Sequence, residues 1–246
     1  TLLIMEQNVK QKLLELNRSF YDDFAVSFSV TRDRVQSGVA HLMDCFGQSS
    51  SILDIGCGNG TLARALVANG FSGRYLGVDM SQDLLNEAEV LLGKPSEGDF
   101  RFILVDLADM NWTASIPDVP VDWLVCFAVL HHLPGDDLRR QTVRAFADLL
   151  SFDGKVAVSV WQWQNSLRLR KRILPWSAAG FDPKGLDEGD VLLDWRASNT
   201  IGLRYVHTFD EDSLTGLAES AGFQVSQTFY SDGKSGDLAL YQLWQK

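Results

Sequence analysis

The sequence has few cysteines, no long apolar run and no recognisable leader. Cys45, Cys57 and Cys126 are odd in number and form no C-x-x-C pair, so neither a disulfide framework nor a zinc site is indicated. No apolar run approaches the roughly 18 residues that a membrane span needs, and the first residues show no signal-peptide pattern. These absences predict a cytoplasmic protein without a membrane segment.

Positive charge is also scarce. The chain carries 22 Lys and Arg against 32 Asp and Glu, a net charge of -10, which argues against generic binding to polyanions. One stretch departs from this balance. Residues 161–172, WQWQNSLRLRKR, place Arg168, Arg170, Lys171 and Arg172 within five positions, so a local basic surface stays possible.

Short apolar runs alternate with amphipathic stretches along most of the chain. We predict strands at 51–55, 74–79, 100–106, 121–130 and 154–161, with helices between them. This order is typical of an α/β fold with a mostly parallel sheet and helices on both faces. The last two apolar runs flank the turn-rich segment 231–237 and must form a hairpin, so the last strand should be antiparallel.

We predict that residues 1–246 form a single domain with two additions to the sheet. Residues 1–48 are predicted to supply N-terminal helices. Residues 162–203 show little periodicity and are rich in Trp, Gly, Pro and Arg. We interpret them as an insertion at the carboxyl end of the fifth strand, the edge where open α/β sheets bind ligands.

The segment ILDIGCGNG, residues 52–60, ends a predicted strand with alternate glycines. Gly56, Gly58 and Gly60 let the backbone turn sharply and let a ligand approach it closely. A dinucleotide fingerprint would read G-x-G-x-x-G. Here the spacing is G-x-G-x-G, and Asp54 precedes it, where a carboxylate would repel a pyrophosphate. An ordinary tight turn is the alternative.

Carboxylates end three successive predicted strands. Asp54 suits a cationic ligand group, Asp79 stands where ribose hydroxyls are bound in such folds, and Asp106 can accept from an exocyclic amine. A ligand with an ammonium group, a ribose and an adenine fits all three. S-adenosylmethionine is such a ligand, and we predict it as the cofactor.

The motifs LDIGCGNG, GVDMS, VDLAD and DWLVCFAVLHHLPG resemble those of the class I S-adenosylmethionine-dependent methyltransferases. The resemblance runs from about residue 50 to 161. It implies a Rossmann-like three-layer sandwich whose seven-stranded, mostly parallel sheet has an antiparallel last strand. It also implies that the glycine loop contacts the methionine part of the cofactor. The cofactor-binding residues implied in this way are Asp54, Gly56, Cys57, Gly58, Asn59, Gly60, Asp79, Met80, Asp106, Leu107 and Phe127.

Further stretches resemble a narrower group, the methyltransferases that esterify the carboxymethyl group on the wobble uridine of tRNA, including the domain fused to AlkB-like dioxygenases. The stretches are FYDDFAVSFSVTR, VSVWQWQ and LRYVHTF. By this resemblance the acceptor pocket is lined by Tyr21, Arg32, Trp161, Arg204, Tyr205 and His207. It also implies tRNA as partner and, for several members, a small zinc-binding activator protein. The acidity of this chain departs from the basic surface expected of the group.

The double histidine of VLHHLPG follows the fourth predicted strand. His132, with Arg32, Trp161, Arg204 and His207, is a candidate catalytic residue. The alternative is that the histidines pack against the cofactor. The sequence offers no third ligand beside them, so a metal site is not indicated.

Three functions stay open. The first is esterification of a carboxymethyl-type uridine in tRNA, with the basic run along the phosphate backbone. The second is O- or N-methylation of a small molecule, which could itself bear a carboxylate. The third is a non-catalytic cofactor-binding protein that acts through a partner. The basic run is then either a substrate-binding surface or a solvated face balanced by the acids of 187–190.

Overall fold

The computed structural model of the chain describes residues 5–31, 34–197 and 200–246. Two helices precede the sheet, α1 (Gln7–Thr31) and α2 (Ser37–Met43). The predicted alternation then follows as β1 (Ser51–Ile55), α3 (Thr61–Ala68), β2 (Arg74–Asp79), α4 (Gln82–Leu92), β3 (Asp99–Leu104), β4 (Val121–Phe127), α5 (Asp136–Leu149) and β5 (Leu150–Trp161). The chain ends with α7 (Glu211–Glu219), β9 (Gln224–Ser231) and β10 (Ala239–Gln245).

The main sheet confirms the predicted α/β three-layer architecture. Its seven strands lie in the order β3-β2-β1-β4-β5-β10-β9. β1 to β5 pair in parallel, whereas β10 is antiparallel to both neighbours. From β1 the chain adds β2 and β3 on one side and then β4 and β5 on the other, so the strand order switches between β1 and β4. Open α/β sheets bind ligands at such a switch point.

Two apolar clusters cover the faces of this sheet. One packs α5 and α7 against it through side chains such as Phe146 and Leu214, and the other packs α2 and α3 through Val39 and Leu62. Every residue of β1 is buried. Burial on both faces explains why the central strands appear in the sequence as continuous apolar runs.

Residues 162–207 form structure that the sequence pattern did not predict. A short helix, α6 (Leu167–Arg170), leads into a second sheet of β6 (Ile173–Leu174), β7 (Asp190–Ala197) and β8 (Thr200–His207). Its strands are antiparallel. Leu192 and Leu193 are both buried although they point to opposite faces, so the alternation that marks a half-exposed strand is missing.

Helix α1 closes the open edge of the second sheet. Asn17 accepts a hydrogen bond from the Tyr205 amide at 2.9 Å and donates to the Tyr205 carbonyl at 3.2 Å. A side-chain amide thus replaces the next strand at the edge of β8, which would otherwise bury unpaired backbone groups. The second sheet and α1 therefore form one cover beside the carboxyl ends of the main strands.

Two glycines provide a test of the packing that positions α2. A Cβ on Gly38 would lie 2.3 Å from the ring of Tyr241, which is buried and stacked on Phe229. We expect Gly38→Ala to lower the free energy of unfolding by about 1–3 kcal/mol because the ring has little room to move. The control is Gly216→Ala in α7, where a Cβ meets no atom within 4 Å, and it should raise stability by about 0.5–1 kcal/mol. Chemical denaturation measures both, and equal effects would contradict the account.

Candidate active site

Two adjoining cavities open at the carboxyl ends of β1 to β5. The large cavity has a volume of about 390 Å³ and the small cavity about 140 Å³. Gly56, Gly58, Phe127, Ala128 and His132 line both of them. A ligand that lies along this line of residues would occupy the small cavity and reach into the large one.

The glycine loop forms the floor between the two cavities. Gly56 and Gly58 have φ values of +74° and +55°, which disfavour residues with a Cβ. A Cβ on Gly56 would lie 2.3 Å from Val129, whereas one on Gly58 would meet no protein atom within 4 Å. Gly56 is therefore required by packing, and the open space at Gly58 leaves the backbone accessible to a ligand.

Asp54 is a buried acid in the lining of the large cavity. It is 4% exposed, and its Oδ2 accepts a hydrogen bond from the Tyr75 hydroxyl at 2.5 Å. Burial raises the pKa of Asp54 to about 7, the Tyr75 hydrogen bond lowers it, and the nearby Asp79 raises it. A cationic group in this cavity would lower the pKa and hold the carboxylate in its charged form.

Asp79 lines the small cavity and is held by the backbone. Its oxygens accept from the amides of Gly58 and Ser81, both at 2.9 Å. Burial raises the pKa of Asp79, and these amide hydrogen bonds oppose the increase. Because each carboxylate oxygen can accept more than one hydrogen bond, Asp79 can also accept from ligand hydroxyl groups.

Asp106 lines the same cavity beyond the end of β3 and contacts α1. One of its oxygens accepts from the Ala108 amide at 2.9 Å, and the other forms an ion pair with Arg18. Leu14, Asn17 and Tyr21 of α1 also line the small cavity. The first helix therefore covers the small cavity, a role for α1 that the sequence pattern did not predict.

Hydrogen bonds indicate which tautomer each of the two neighbouring histidines adopts in its neutral form. The Nδ1 of His132 lies 3.2 Å from the Tyr205 carbonyl, which only accepts, so Nδ1 carries the proton. The Nε2 then accepts from the Tyr21 hydroxyl at 2.8 Å. In His131 the Nδ1 accepts from the Trp161 amide at 3.3 Å, so the proton of the neutral ring is on Nε2.

Arg204 lies in a cage of aromatic rings on the wall of the large cavity. Its Cζ is 4.7 Å from the ring centre of Trp161, 5.0 Å from that of Phe20 and 5.7 Å from that of Trp195. The residue is 5% exposed and lines the cavity. Cation–π contacts with three rings stabilise the guanidinium in this position. Trp161 also lines this cavity.

Tyr205 and His207 lie on the face of β8 opposite to Arg204, because neighbouring residues of a strand point to opposite faces. The Tyr205 hydroxyl donates to Asp190 at 2.8 Å, and the Nδ1 of His207 lies 2.7 Å from the same carboxylate oxygen. Neither Tyr205 nor His207 belongs to the described lining of the two cavities. Their predicted place in the acceptor pocket stays a prediction that the lining of these two cavities does not support.

The four cations of the basic run separate from one another. Arg168 lines the large cavity. Arg172 approaches Asp194 at 4.0 Å, and that acid also pairs with Arg196. Arg170 and Lys171 are exposed and lie outside the described lining of both cavities.

The remaining predicted residues are distributed as follows. Cys57 and Asn59 line the large cavity, and Met80 and Leu107 line the small one. Gly60 has a φ of +70° and is the N-cap of α3, so it forms the turn between the glycine loop and this helix. Arg32 lies outside the described residues.

Several residues of the site had no signal in the sequence. Phe20 and Trp195 complete the cage around Arg204. Asn17 connects α1 to β8, and Arg18 connects it to Asp106. Arg34 lines the large cavity from the segment before α2. Phe20 begins the stretch FYDDFAVSFSVTR, but the resemblance did not mark it as a site residue. Each of the others is a single residue of a common type in a helix, strand or loop without a local motif.

Within the described ranges, no group of three or more His, Cys, Asp and Glu could hold a metal ion. The same ranges contain no helix with the length and apolar character to cross a membrane.

A model of the methyltransferase domain family matches residues 30–228. A provisionally named methyltransferase of Encephalitozoon cuniculi is 28% identical over 209 residues, which cover 84% of this chain and 86% of that protein. The tRNA (carboxymethyluridine(34)-5-O)-methyltransferase of Arabidopsis thaliana is 28% identical over 141 residues. That match covers 57% of this chain and only 31% of the Arabidopsis protein.

Two solved structures share the fold. The 1,6-didemethyltoxoflavin-N1-methyltransferase of Burkholderia thailandensis, with 1,6-didemethyltoxoflavin and S-adenosylhomocysteine bound, has a TM-score of 0.67 at 18% identity and covers 100% of this chain and 92% of its own. The complex of the Haloferax volcanii Trm112 methyltransferase activator with a methyltransferase has a TM-score of 0.64 at 16% identity and covers 93% and 96%.

The raised pKa of Asp54 predicts that cofactor affinity depends on pH. We predict that the ammonium group of the cofactor binds Asp54 and stabilises its ionised carboxylate form. Binding of S-adenosylhomocysteine should therefore strengthen as Asp54 loses its proton. We expect the Kd at pH 6 to be about five- to tenfold weaker than at pH 7.5, since the free-protein pKa is about 7. Titration calorimetry measures this.

The controls are variants of the same pair. Asp54→Asn should bind weakly with little pH dependence. Tyr75→Phe should move the midpoint to higher pH, because the Tyr75 hydrogen bond lowers the pKa of Asp54. A wild-type Kd that is constant from pH 6 to 7.5 would refute the assignment of Asp54 to the ammonium group.

Proposed function

The chain belongs to the methyltransferase domain family and is an S-adenosylmethionine-dependent methyltransferase, and we propose that it esterifies a carboxylate group of its acceptor. The cofactor that the sequence predicts is confirmed by relatives whose structures hold S-adenosylmethionine or S-adenosylhomocysteine. We assign Asp54 to the ammonium group, Asp79 to the ribose and Asp106 to the adenine, in line with the two cavities that these acids line.

The observation that carries the proposal is the caged guanidinium of Arg204. Three ring faces hold it on the wall of the large cavity, which adjoins the glycine loop. A planar guanidinium binds a carboxylate in a defined orientation. Because the cage fixes the donor group, the acceptor would be oriented without further ordering of the side chain, and orientation supplies much of the rate of such transfers.

The chemistry also fits a carboxylate. S-adenosylmethionine supplies a methyl group that is already activated as a sulfonium. A carboxylate is ionised at neutral pH and needs no base, so the task of the chain is to bind it, orient it and exclude water. Arg204 would hold one carboxylate oxygen and leave the other directed toward the methyl donor, and Trp161 and Trp195 would shield the pair from solvent.

We propose a carboxymethyl-type uridine of tRNA as the acceptor that carries this carboxylate. The similarity to the Arabidopsis tRNA (carboxymethyluridine(34)-5-O)-methyltransferase supports this choice, and the rings of Trp161 and Trp195 are suited to stack on a base. The net charge of -10 favours a partner that supplies basic surface. A small zinc-binding activator stays a prediction, supported by the related fold of the methyltransferase in the Haloferax complex.

A small-molecule O- or N-methyltransferase is the second candidate. The pair of Tyr21 and His132 favours it, since the Tyr21 hydroxyl lies 2.8 Å from the His132 Nε2 on the wall of the small cavity, and the neutral ring with its proton on Nδ1 would accept there. Such a pair could take the proton of a neutral acceptor. This candidate predicts an ether or N-methyl product rather than an ester.

Substitution of Arg204 tests the carboxylate assignment. We expect Arg204→Gln to lower kcat/KM for the carboxylate acceptor by about 10- to 100-fold, the worth of a hydrogen bond to a charged group. Steady-state kinetics measures it. The Kd for S-adenosylhomocysteine should stay unchanged, because Arg204 is not among the residues assigned to the cofactor.

The matched control is Arg196→Gln on the adjacent strand, which pairs with Asp194 and does not belong to the described cavity lining. It should keep wild-type kinetics. If Arg204→Gln binds the cofactor normally and also keeps wild-type kcat/KM, Arg204 does not bind the acceptor.

A further inference from the structure

The large cavity has more positive side chains than one carboxylate requires. Arg34, Arg168 and Arg204 all line it, from the segment before α2, from α6 and from β8. Of the acids in its lining, Asp54 is assigned to the cofactor. Asp232 is already satisfied, accepting from the Gly38 amide at 2.9 Å and the Tyr241 hydroxyl at 2.6 Å.

The three arginines differ in their surroundings. Arg204 is buried within its cage, whereas Arg34 and Arg168 are exposed. In this acidic chain many arginines contact a carboxylate, as Arg18 and Arg139 do. Within the part of the chain that the structure describes, neither Arg34 nor Arg168 forms an ion pair, although both line a cavity.

The fold of α6 directs Arg168 toward this cavity. Ser166 caps the helix by accepting from the Leu169 amide at 3.4 Å. Leu169 is 7% exposed and packs with Trp163 and Leu193, which anchors one side of the helix. Since successive residues of a helix are about 100° apart, Arg168 and Arg170 project on different sides. Only the first of them lines the cavity.

We propose that Arg168 and Arg34 form a second anion subsite at the mouth of the large cavity, which binds a phosphate group of the acceptor. The acceptor is then a phosphate ester that also carries a carboxylate, a nucleotide rather than a nucleoside. This inference rests on the proposed function and extends it. Arginine is suited to the role because its planar fork matches phosphate oxygens.

The test compares three acceptors: 5-carboxymethyluridine, its 5′-monophosphate, and a short RNA hairpin that carries the same nucleotide in its loop. We expect the wild-type KM to be about tenfold or more lower for the monophosphate than for the nucleoside, the worth of a charged hydrogen bond. Arg168→Gln should remove most of this difference and leave the nucleoside KM unchanged. Arg34→Gln should reduce it in the same way.

Arg170→Gln is the matched control, because it removes a charge from the same helix outside the cavity. It should keep the wild-type ratio of the two KM values. Equal KM values for nucleoside and monophosphate in the wild type would overturn the subsite, and so would a ratio that Arg168→Gln leaves unchanged. A rise in both KM values by the same factor would place Arg168 elsewhere in acceptor binding and overturn it too.

The three acceptors also separate the sources of the phosphate. If Arg168→Gln reduces the advantage of both phosphorylated acceptors, a single phosphate ester is sufficient. If Arg168→Gln reduces the KM advantage of the hairpin by a larger factor than that of the monophosphate, and this factor falls with salt, the subsite binds a polynucleotide backbone. If none of the three acceptors is methylated with S-adenosylmethionine, and none is bound in the presence of S-adenosylhomocysteine, the proposed function itself fails.

Discussion

The arrangement of the site depends on keeping one guanidinium, that of Arg204, buried beside the proposed position of the methyl donor. A buried charge is costly unless its surroundings compensate for it. Around Arg204 the compensation includes ring faces from three other elements: Phe20 of α1, Trp161 of β5 and Trp195 of β7. The cage exists only when the second sheet, the main sheet and the first helix meet, so acceptor binding is coupled to the assembly of the whole cover.

Helix α1 holds this assembly together. Asn17 pairs with the backbone edge of β8, Arg18 with Asp106 in the small cavity, and Tyr21 with His132 between the two cavities. The same helix therefore contacts the proposed adenine, methyl-donor and acceptor regions. Ordering of α1 by the cofactor would position the cage for the acceptor, and a covered site of this kind excludes water from the transfer.

The cofactor half of the site could be predicted from sequence because its signals are local. A strand, a turn with glycines at positive φ and an acid at the next strand end follow one another within 26 residues of chain, from Asp54 to Asp79. The acceptor half depends on contacts distant in sequence. The order Arg204-Tyr205 does not reveal which side chain faces the cavity, since that depends on how β8 lies against α1. The basic run likewise does not show that only Arg168 lines the cavity.

The most direct test of the central claim is the chemical nature of the product. The purified protein would be incubated with S-adenosylmethionine that carries an isotopic label in its methyl group and with an acceptor that contains carboxymethyluridine. The product would then be treated with mild alkali, which hydrolyses methyl esters but not ethers or N-methyl groups. We predict that the label is released as methanol. Label that stays on the acceptor after alkali would contradict esterification and with it the role given to Arg204.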